Sequence, residues 1–160
     1  MTTSPLRKVQ KNPEDGGSIP PKPILKMINA RRKGVAIVET KKGILIVAGR
    51  KKIFSLPGGG AERFESRKKA AIRELCEETG LKTKKIKYLF SHVGKRLHNY
   101  NGRLFINSIK IFLVESDGVP KPKSEIKYIS FWKKGVKIKL SDSTKIILEK
   151  YLTDYKYNKN

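Results

Sequence analysis

Residues 59–81 read GGAERFESRKKAAIRELCEETGL, and this stretch constrains the chain more than any other. Pro57-Gly58-Gly59-Gly60 halts whatever element precedes it. Ser66 then offers an N-cap, residues 67–79 fit a helix, and Gly80 is placed to end it. Ile72, Leu75, Cys76 and Thr79 recur at helical spacing and predict a core-facing side. Glu77 and Glu78 follow Glu74 by three and four residues, so the three carboxylates share another side. Ala70 and Ala71 are expected next to these acids, where their small size leaves room for a ligand.

Composition makes the acids conspicuous. The chain has 160 residues and carries 37 Lys and Arg against 14 Asp and Glu, a formal charge of +23. Five of those 14 acids, Glu62, Glu65, Glu74, Glu77 and Glu78, fall in this one stretch. Clustered carboxylates raise one another's pKa, and a bound divalent cation removes that penalty. Oxygen ligands suit Mg²⁺ or Mn²⁺ rather than zinc, and no Cys/His cluster competes for the assignment. Arg73 and the run Arg67-Lys68-Lys69 offer the alternative, a helix face laced with ordinary ion pairs. The positive surplus attracts phosphates in general. It fits a small polyphosphate, nucleic acid or an acidic membrane surface, and does not choose among them.

No apolar run reaches the roughly 18 residues needed to span a bilayer, and residues 1–11 lack the apolar stretch of a signal peptide. A single cysteine, Cys76, excludes an intrachain disulfide and fits a reducing, cytoplasmic setting. Five of the eight prolines lie in the first 23 residues, among Gly16, Gly17 and Ser18, so residues 1–23 read as a flexible leader. The folded domain is expected over residues 24–156, with residues 157–160 as a polar tail. Runs at 35–38 and 44–47, split by Lys41-Lys42-Gly43, predict a hairpin. Further strands are expected at 52–56, 85–92, 104–115 and 126–132. Residues 141–143 can cap a closing helix that carries Ile146, Ile147, Leu148, Tyr151 and Leu152. Strands interrupted by one long helix and followed by a second predict an α/β fold around a mixed sheet.

Gly59, Glu65, Arg73-Glu74-Leu75, Glu77-Glu78 and Gly80-Leu81 match every specified position of the Nudix box in type and spacing. The chain therefore resembles the Nudix (MutT-like) hydrolases. Nine such matches arise by chance in fewer than roughly one window in a hundred million. The resemblance implies an α/β/α sandwich, Mg²⁺ or Mn²⁺ as cofactor, and cleavage of a phosphoanhydride by metal-activated water. The implied substrate is a nucleoside diphosphate derivative or nucleoside triphosphate. Glu74, Glu77 and Glu78 would be the principal metal ligands, with Glu65 supporting them directly or through water. Gly59 would supply a carbonyl or a tight loop, Arg73 would orient the glutamates, and Gly80 would permit the following turn. The proton-accepting glutamate belongs either to the box or to a later loop. Glu115, Asp117 and Glu125 are the later candidates, and Glu125, ahead of Ile126 and Phe131-Trp132, is preferred. Phe54 departs from the tryptophan common at that position in the family.

Arg50, Lys51 and Lys52 precede the glycine turn. With Gly58, Gly59, Arg96 and Arg103 they are candidates to contact substrate phosphates, although each cation is equally what a basic surface carries. His92 and His98 could assist catalysis, and Tyr100 and Phe105 could stack on a base. Cys76 and Trp132 read as core. Alternative substrates are diphosphoinositol, a dinucleoside polyphosphate or an RNA 5′ end. The absence of proline between Pro57 and Pro120 counts against the ADP-ribose marker of the family, and the marker of its NADH-cleaving members is also missing. A reading from another class is a catalytically silent RNA- or phosphate-binding module, against which the completeness of the box counts. No membrane partner is expected.

Overall fold

Along residues 35–38 the aliphatic side chains point alternately to two sides, so the run stays dry only if both faces of its sheet are covered. The computed structural model shows how this is met and describes residues 29–156. Residues 1–28, including the expected leader and the domain start, and the tail at 157–160 lie outside the described residues. The chain order is β1 (Asn29–Ile37), β2 (Glu39–Thr40), β3 (Gly43–Ala48), β4 (Gly58–Gly60), α1 (Arg67–Thr79), β5 (Lys82–Val93), β6 (Leu97–His98), β7 (Leu104–Asp117), β8 (Tyr128–Trp132) and α2 (Asp142–Tyr151). A π-helical turn, Leu152–Lys156, extends α2.

The larger sheet runs β4-β1-β7-β5, with β6 also on β7. It is mixed: β1 pairs in parallel with β7, and the other neighbours pair antiparallel. The smaller sheet, β2-β3-β8, is antiparallel. β1 feeds directly into β2, and Leu45 N–H donates to the Val38 carbonyl at 3.0 Å, which ties the two sheets together. Alternation along β1 divides the core. Val35 and Ile37 join Ile44, Ile46, Ile109 and Ile111 beneath Ile147, Leu148 and Tyr151 of α2. Ala36 and Val38 join Leu45, Phe112 and Val114 beneath Ala71 and Leu75 of α1. Helices thus cover opposite faces. Leu75 is 0% exposed, a burial that contributes about 1.5–3 kcal/mol.

The contact between α1 and the sheet requires small residues. A Cβ on Gly34 would lie 1.9 Å from the Arg67 carbonyl oxygen, so only glycine lets the helix approach this closely. Ala70 and Ala71 are fully buried at this contact, so their small size serves the packing of the helix on the sheet and not, as expected from sequence, the approach of a ligand. Ile72 and Cys76, expected in the core, are only half-buried. The helix is rotated so that Ala70, Ala71, Leu75, Glu78 and Thr79 face inward. Ser66 caps its start, accepting from the Lys69 N–H, and Gly80 ends it at φ 77°.

Other boundaries also differ. Residues 52–56 form no strand of the sheets, only isolated bridges from Ser55 to Val47 and from Phe54 to Leu140. β5 and β7 run longer than expected, to Val93 and Asp117, and β8 begins only at Tyr128. In α2, capped by Ser141, Ile146 is 47% exposed while Ile147, Leu148 and Tyr151 are buried. Trp132 is half-buried against the α2-side core. Among the described residues no helix is long and apolar enough to cross a membrane.

Candidate active site

The glycine turn lays β4 alongside β1, with Gly58, Gly59 and Gly60 paired to Val35, Gly34 and Lys33. Gly58 adopts φ 154°, and a Cβ there would strike the Gly34 carbonyl and Val35. The turn consequently passes close over α1. Gly58 N–H donates to Glu78 Oε1 at 2.9 Å, and a Cβ on Gly59 would sit 2.6 Å from the Glu74 carboxyl. The bare backbone of this turn forms a cradle around two of the acids.

The last turn of α1 has carbonyls without partners in the helix. The loop from Gly118 to Lys127 supplies donors for them. Lys121 N–H bonds the Thr79 carbonyl, Lys123 N–H bonds the Glu78 carbonyl at 3.0 Å, and Ser124 Oγ bonds the Glu77 carbonyl at 3.2 Å. Ser124 turns the chain at φ 55°, and Lys127 N–H then donates to Ala48 in β3. Glu125 is thereby brought over the helix. Glu74, Glu78 and Glu125 each place a carboxylate oxygen within 4.8 Å of the others.

Arg73 gathers the remaining acids. Its Nε and Nη2 form two parallel bonds of 2.9 Å with Glu65. Nη1 reaches Glu74 at 3.1 Å and Glu77 at 2.9 Å, and Nη2 also reaches the Gly60 carbonyl at 3.0 Å. All five N–H donors of the guanidinium are thus engaged. Glu65 and Glu77 stand outside the three-carboxylate group and are held by Arg73. Hydrogen bonds from Arg73 and the backbone hold the Glu65 carboxyl down at about 2.

Burial sets the electrostatics of the inner acids. Glu78 is 6% exposed. Its pKa is pushed up to about 7, chiefly by burial and further by Glu74 and Glu125, against the Gly58 N–H and the Lys33 charge. Glu74 is also raised, first by burial, while Arg73 opposes the shift. Three clustered carboxylates, with charge disfavoured on Glu74 and Glu78, beside a backbone cradle, suit a divalent cation with oxygen ligands. Lys33 is half-buried and electrostatically coupled to Glu78 and Glu74, and burial and then Arg31 lower its pKa. Nothing in the sequence singled it out, because a cation at the exposed start of a strand looks ordinary until β4 and α1 close over it. Arg32, equally unremarked, donates to the Glu65 carbonyl at 2.8 Å.

The other candidates are dispersed. Arg50 and Lys52 lie on an exposed turn closed by Lys52 N–H to the Gly49 carbonyl, and a Cβ on Gly49 would be 3.5 Å from the Glu125 carbonyl. The Lys52 ammonium sits over the Tyr128 ring at 4.8 Å. Arg103 is exposed and closes the Asn99 turn between β6 and β7. Asp117 pairs with Lys84 at 3.7 Å. Glu115 lines a separate cavity of about 830 Å³ with Leu45, Leu81, Ile86 and Val114. His92 is half-buried with its pKa lowered by burial. Tyr100 is 97% exposed, and the Phe105 ring is covered by the Arg31 guanidinium at 4.9 Å.

Known proteins match over this same framework. The NUDIX domain model matches residues 29–134. A nudix hydrolase family member from Chromobacterium violaceum is 34% identical, with 78% of each chain covered and a TM-score of 0.66. The MutT NUDIX hydrolase from Burkholderia pseudomallei is 20% identical over 76% of this chain and 97% of its own, with a TM-score of 0.63. A bifunctional NMN adenylyltransferase/ADP ribose pyrophosphatase from Francisella tularensis, complexed with AMP and a manganese ion, is 20% identical. That match covers 83% of this chain and 44% of the other, with a TM-score of 0.55.

Proposed function

The chain belongs to the NUDIX family, and from that premise we propose that it is a Mg²⁺- or Mn²⁺-dependent pyrophosphohydrolase. Its substrate is a small, nucleotide-type polyanion, a nucleoside diphosphate derivative or nucleoside triphosphate, cleaved at a phosphoanhydride. The observation that carries this reading is the meeting of Glu74, Glu78 and Glu125 within 4.8 Å on a chain of formal charge +23. The manganese complex of the Francisella tularensis protein supports the choice of ion.

Glu74, Glu78 and Glu125 would hold the cation, with Glu77 as a further carboxylate on the same side of α1 and the Gly59 backbone beside Glu74. A divalent cation there supplies Lewis-acid stabilisation of the charge that develops on the phosphates. Glu65 acts at one remove, by fixing the Arg73 plane that in turn orients Glu74 and Glu77. Glu125 comes from a loop and not from the crowded helix, and the carboxylate oxygen that it does not give to the cation would take the proton of the attacking water. Lys33 offsets phosphate charge at the inner edge of the site. Arg50 and Lys52, on the turn beside Glu125, extend the cationic rim, and the bare Gly58-Gly59 backbone lets a phosphate approach.

The test is hydrolysis of a panel of nucleoside triphosphates and nucleoside diphosphate derivatives with product identification. Turnover should require Mg²⁺ or Mn²⁺, stop in EDTA and fall at least about 100-fold in Glu78→Gln, the scale of removing a group that acts at the reacting centre. Undiminished turnover in EDTA would refute the reading.

A further inference from the structure

Phe64 serves none of the chemistry above, yet it is the most unusual residue of the loop that leads into α1. It is 93% exposed and its backbone adopts φ 67°, a left-handed conformation that disfavours any bulky side chain. The loop is not loose. Glu65 N–H donates to the Glu62 carbonyl at 2.9 Å, and Glu62 N–H donates to Glu65 Oε1 at 2.9 Å. Ala61 N–H donates to the Arg32 carbonyl at 2.7 Å, and Arg32 Nη2 donates to the Glu65 carbonyl at 2.8 Å. The Glu65 side chain is gripped at both oxygens by Arg73, which also binds Glu74. Both flanks of Phe64 are therefore fixed, and the ring stands in solvent one residue before Glu65, which Arg73 ties to Glu74. The Arg63 guanidinium lies 5.0 Å from its centroid.

An exposed aromatic face on a hydrogen-bonded loop, backed by a guanidinium and next in sequence to the Glu65–Arg73 pair, has the chemistry that stacks on a nucleobase. We propose that Phe64 is a ligand-contact residue that stacks on a base of the substrate, the strained backbone being retained because it presents the ring. This rests on the nucleotide-type reading above. The base could belong to a mononucleotide or to the 5′ end of an RNA strand, which share this chemistry.

The experiment compares wild type with Phe64→Gly, which relaxes the backbone and deletes the ring, and with Phe64→Trp, which keeps a ring. Three substrates are used with Mg²⁺: a nucleoside triphosphate, a 5′-triphosphorylated octaribonucleotide and inorganic tripolyphosphate, which has no base. The expected result is a KM for base-bearing substrates at least fivefold higher in Phe64→Gly. Tripolyphosphate kinetics should be unchanged, the Tm should not fall, and Phe64→Trp should restore the KM. A loss confined to the octaribonucleotide identifies an RNA end as the source of the base; a loss with both identifies the base nearest the phosphates. Equal KM values in all variants overturn the proposal. So does a Phe64→Gly defect that extends to tripolyphosphate together with a lower Tm, because that marks a structural role. If wild type hydrolyses nothing, the hydrolase reading fails by itself. Calorimetric titration of the same nucleotides then decides: fivefold weaker binding by Phe64→Gly sustains the stacking role and equal binding removes it.

Discussion

Replacing Glu78 by glutamine isolates the electrostatic cost of the acid cluster. Burial foremost, then Glu74 and Glu125, hold this carboxyl at about 7 in the folded protein, against 4.5 for an ordinary glutamate. Between those values the folded state binds the proton that the unfolded state has released. Stability linked to this group is therefore complete below 4.5 and is lost as pH rises through about 7. The gap corresponds to about 3 kcal/mol at pH 8. Glutamine has nearly the same shape, keeps an oxygen for the Gly58 N–H, and has no charge to bury. In EDTA at pH 8, Glu78→Gln should be about 3 kcal/mol more stable than wild type, a Tm gain of about 6–12 °C for a chain of this size. The difference should close towards pH 5. Excess Mg²⁺ should then raise the Tm of wild type and leave the variant nearly unmoved, because a ligand that binds only the folded state stabilises it. Circular dichroism melts between pH 5 and 8.5, with and without Mg²⁺, provide the assay. Identical pH dependence of the two proteins in EDTA would show that Glu78 carries no such burial cost.

Three further outcomes are expected. Gly34→Ala places a methyl group 1.9 Å from the Arg67 carbonyl, so α1 must shift; a loss of about 3 kcal/mol is expected from chemical denaturation. Arg73→Lys keeps the charge but cannot reproduce five planar donors, and Mn²⁺ affinity measured by electron paramagnetic resonance should fall about 10–100-fold. Glu125→Gln should weaken Mn²⁺ binding at least about tenfold, whereas Glu115→Gln, on the separate cavity, should leave it unchanged.

The box helix was legible from residue spacing because its cap, its terminal glycine and its acids are all local. Its rotation was not. Helical spacing placed Ile72 and Cys76 inward, but two alanines, Leu75 and an acid, Glu78, take the buried side instead. Burying a carboxylate runs against hydrophobic patterning, and the site gives it a local reason in the Gly58 N–H. In the sequence only family likeness points to Glu125, because its approach to Glu78 depends on loop residues 121–124 bonding the free carbonyls of α1. Such long-range closure leaves no periodic trace. Lys33, Gly34 and Arg32 carry no signal in the sequence for the same cause, since their roles arise only where β1 meets the glycine turn and the helix. The segment at 52–56 has strand-like residues, yet two bridges in different directions replace a ladder.

Crystals soaked in MnCl₂ and measured at the manganese absorption edge test the metal assignment directly. An anomalous peak about 2.0–2.3 Å from carboxylate oxygens of Glu74, Glu78 and Glu125 is the expected result. A fully occupied manganese elsewhere on the protein, with those three side chains left uncoordinated, would contradict it.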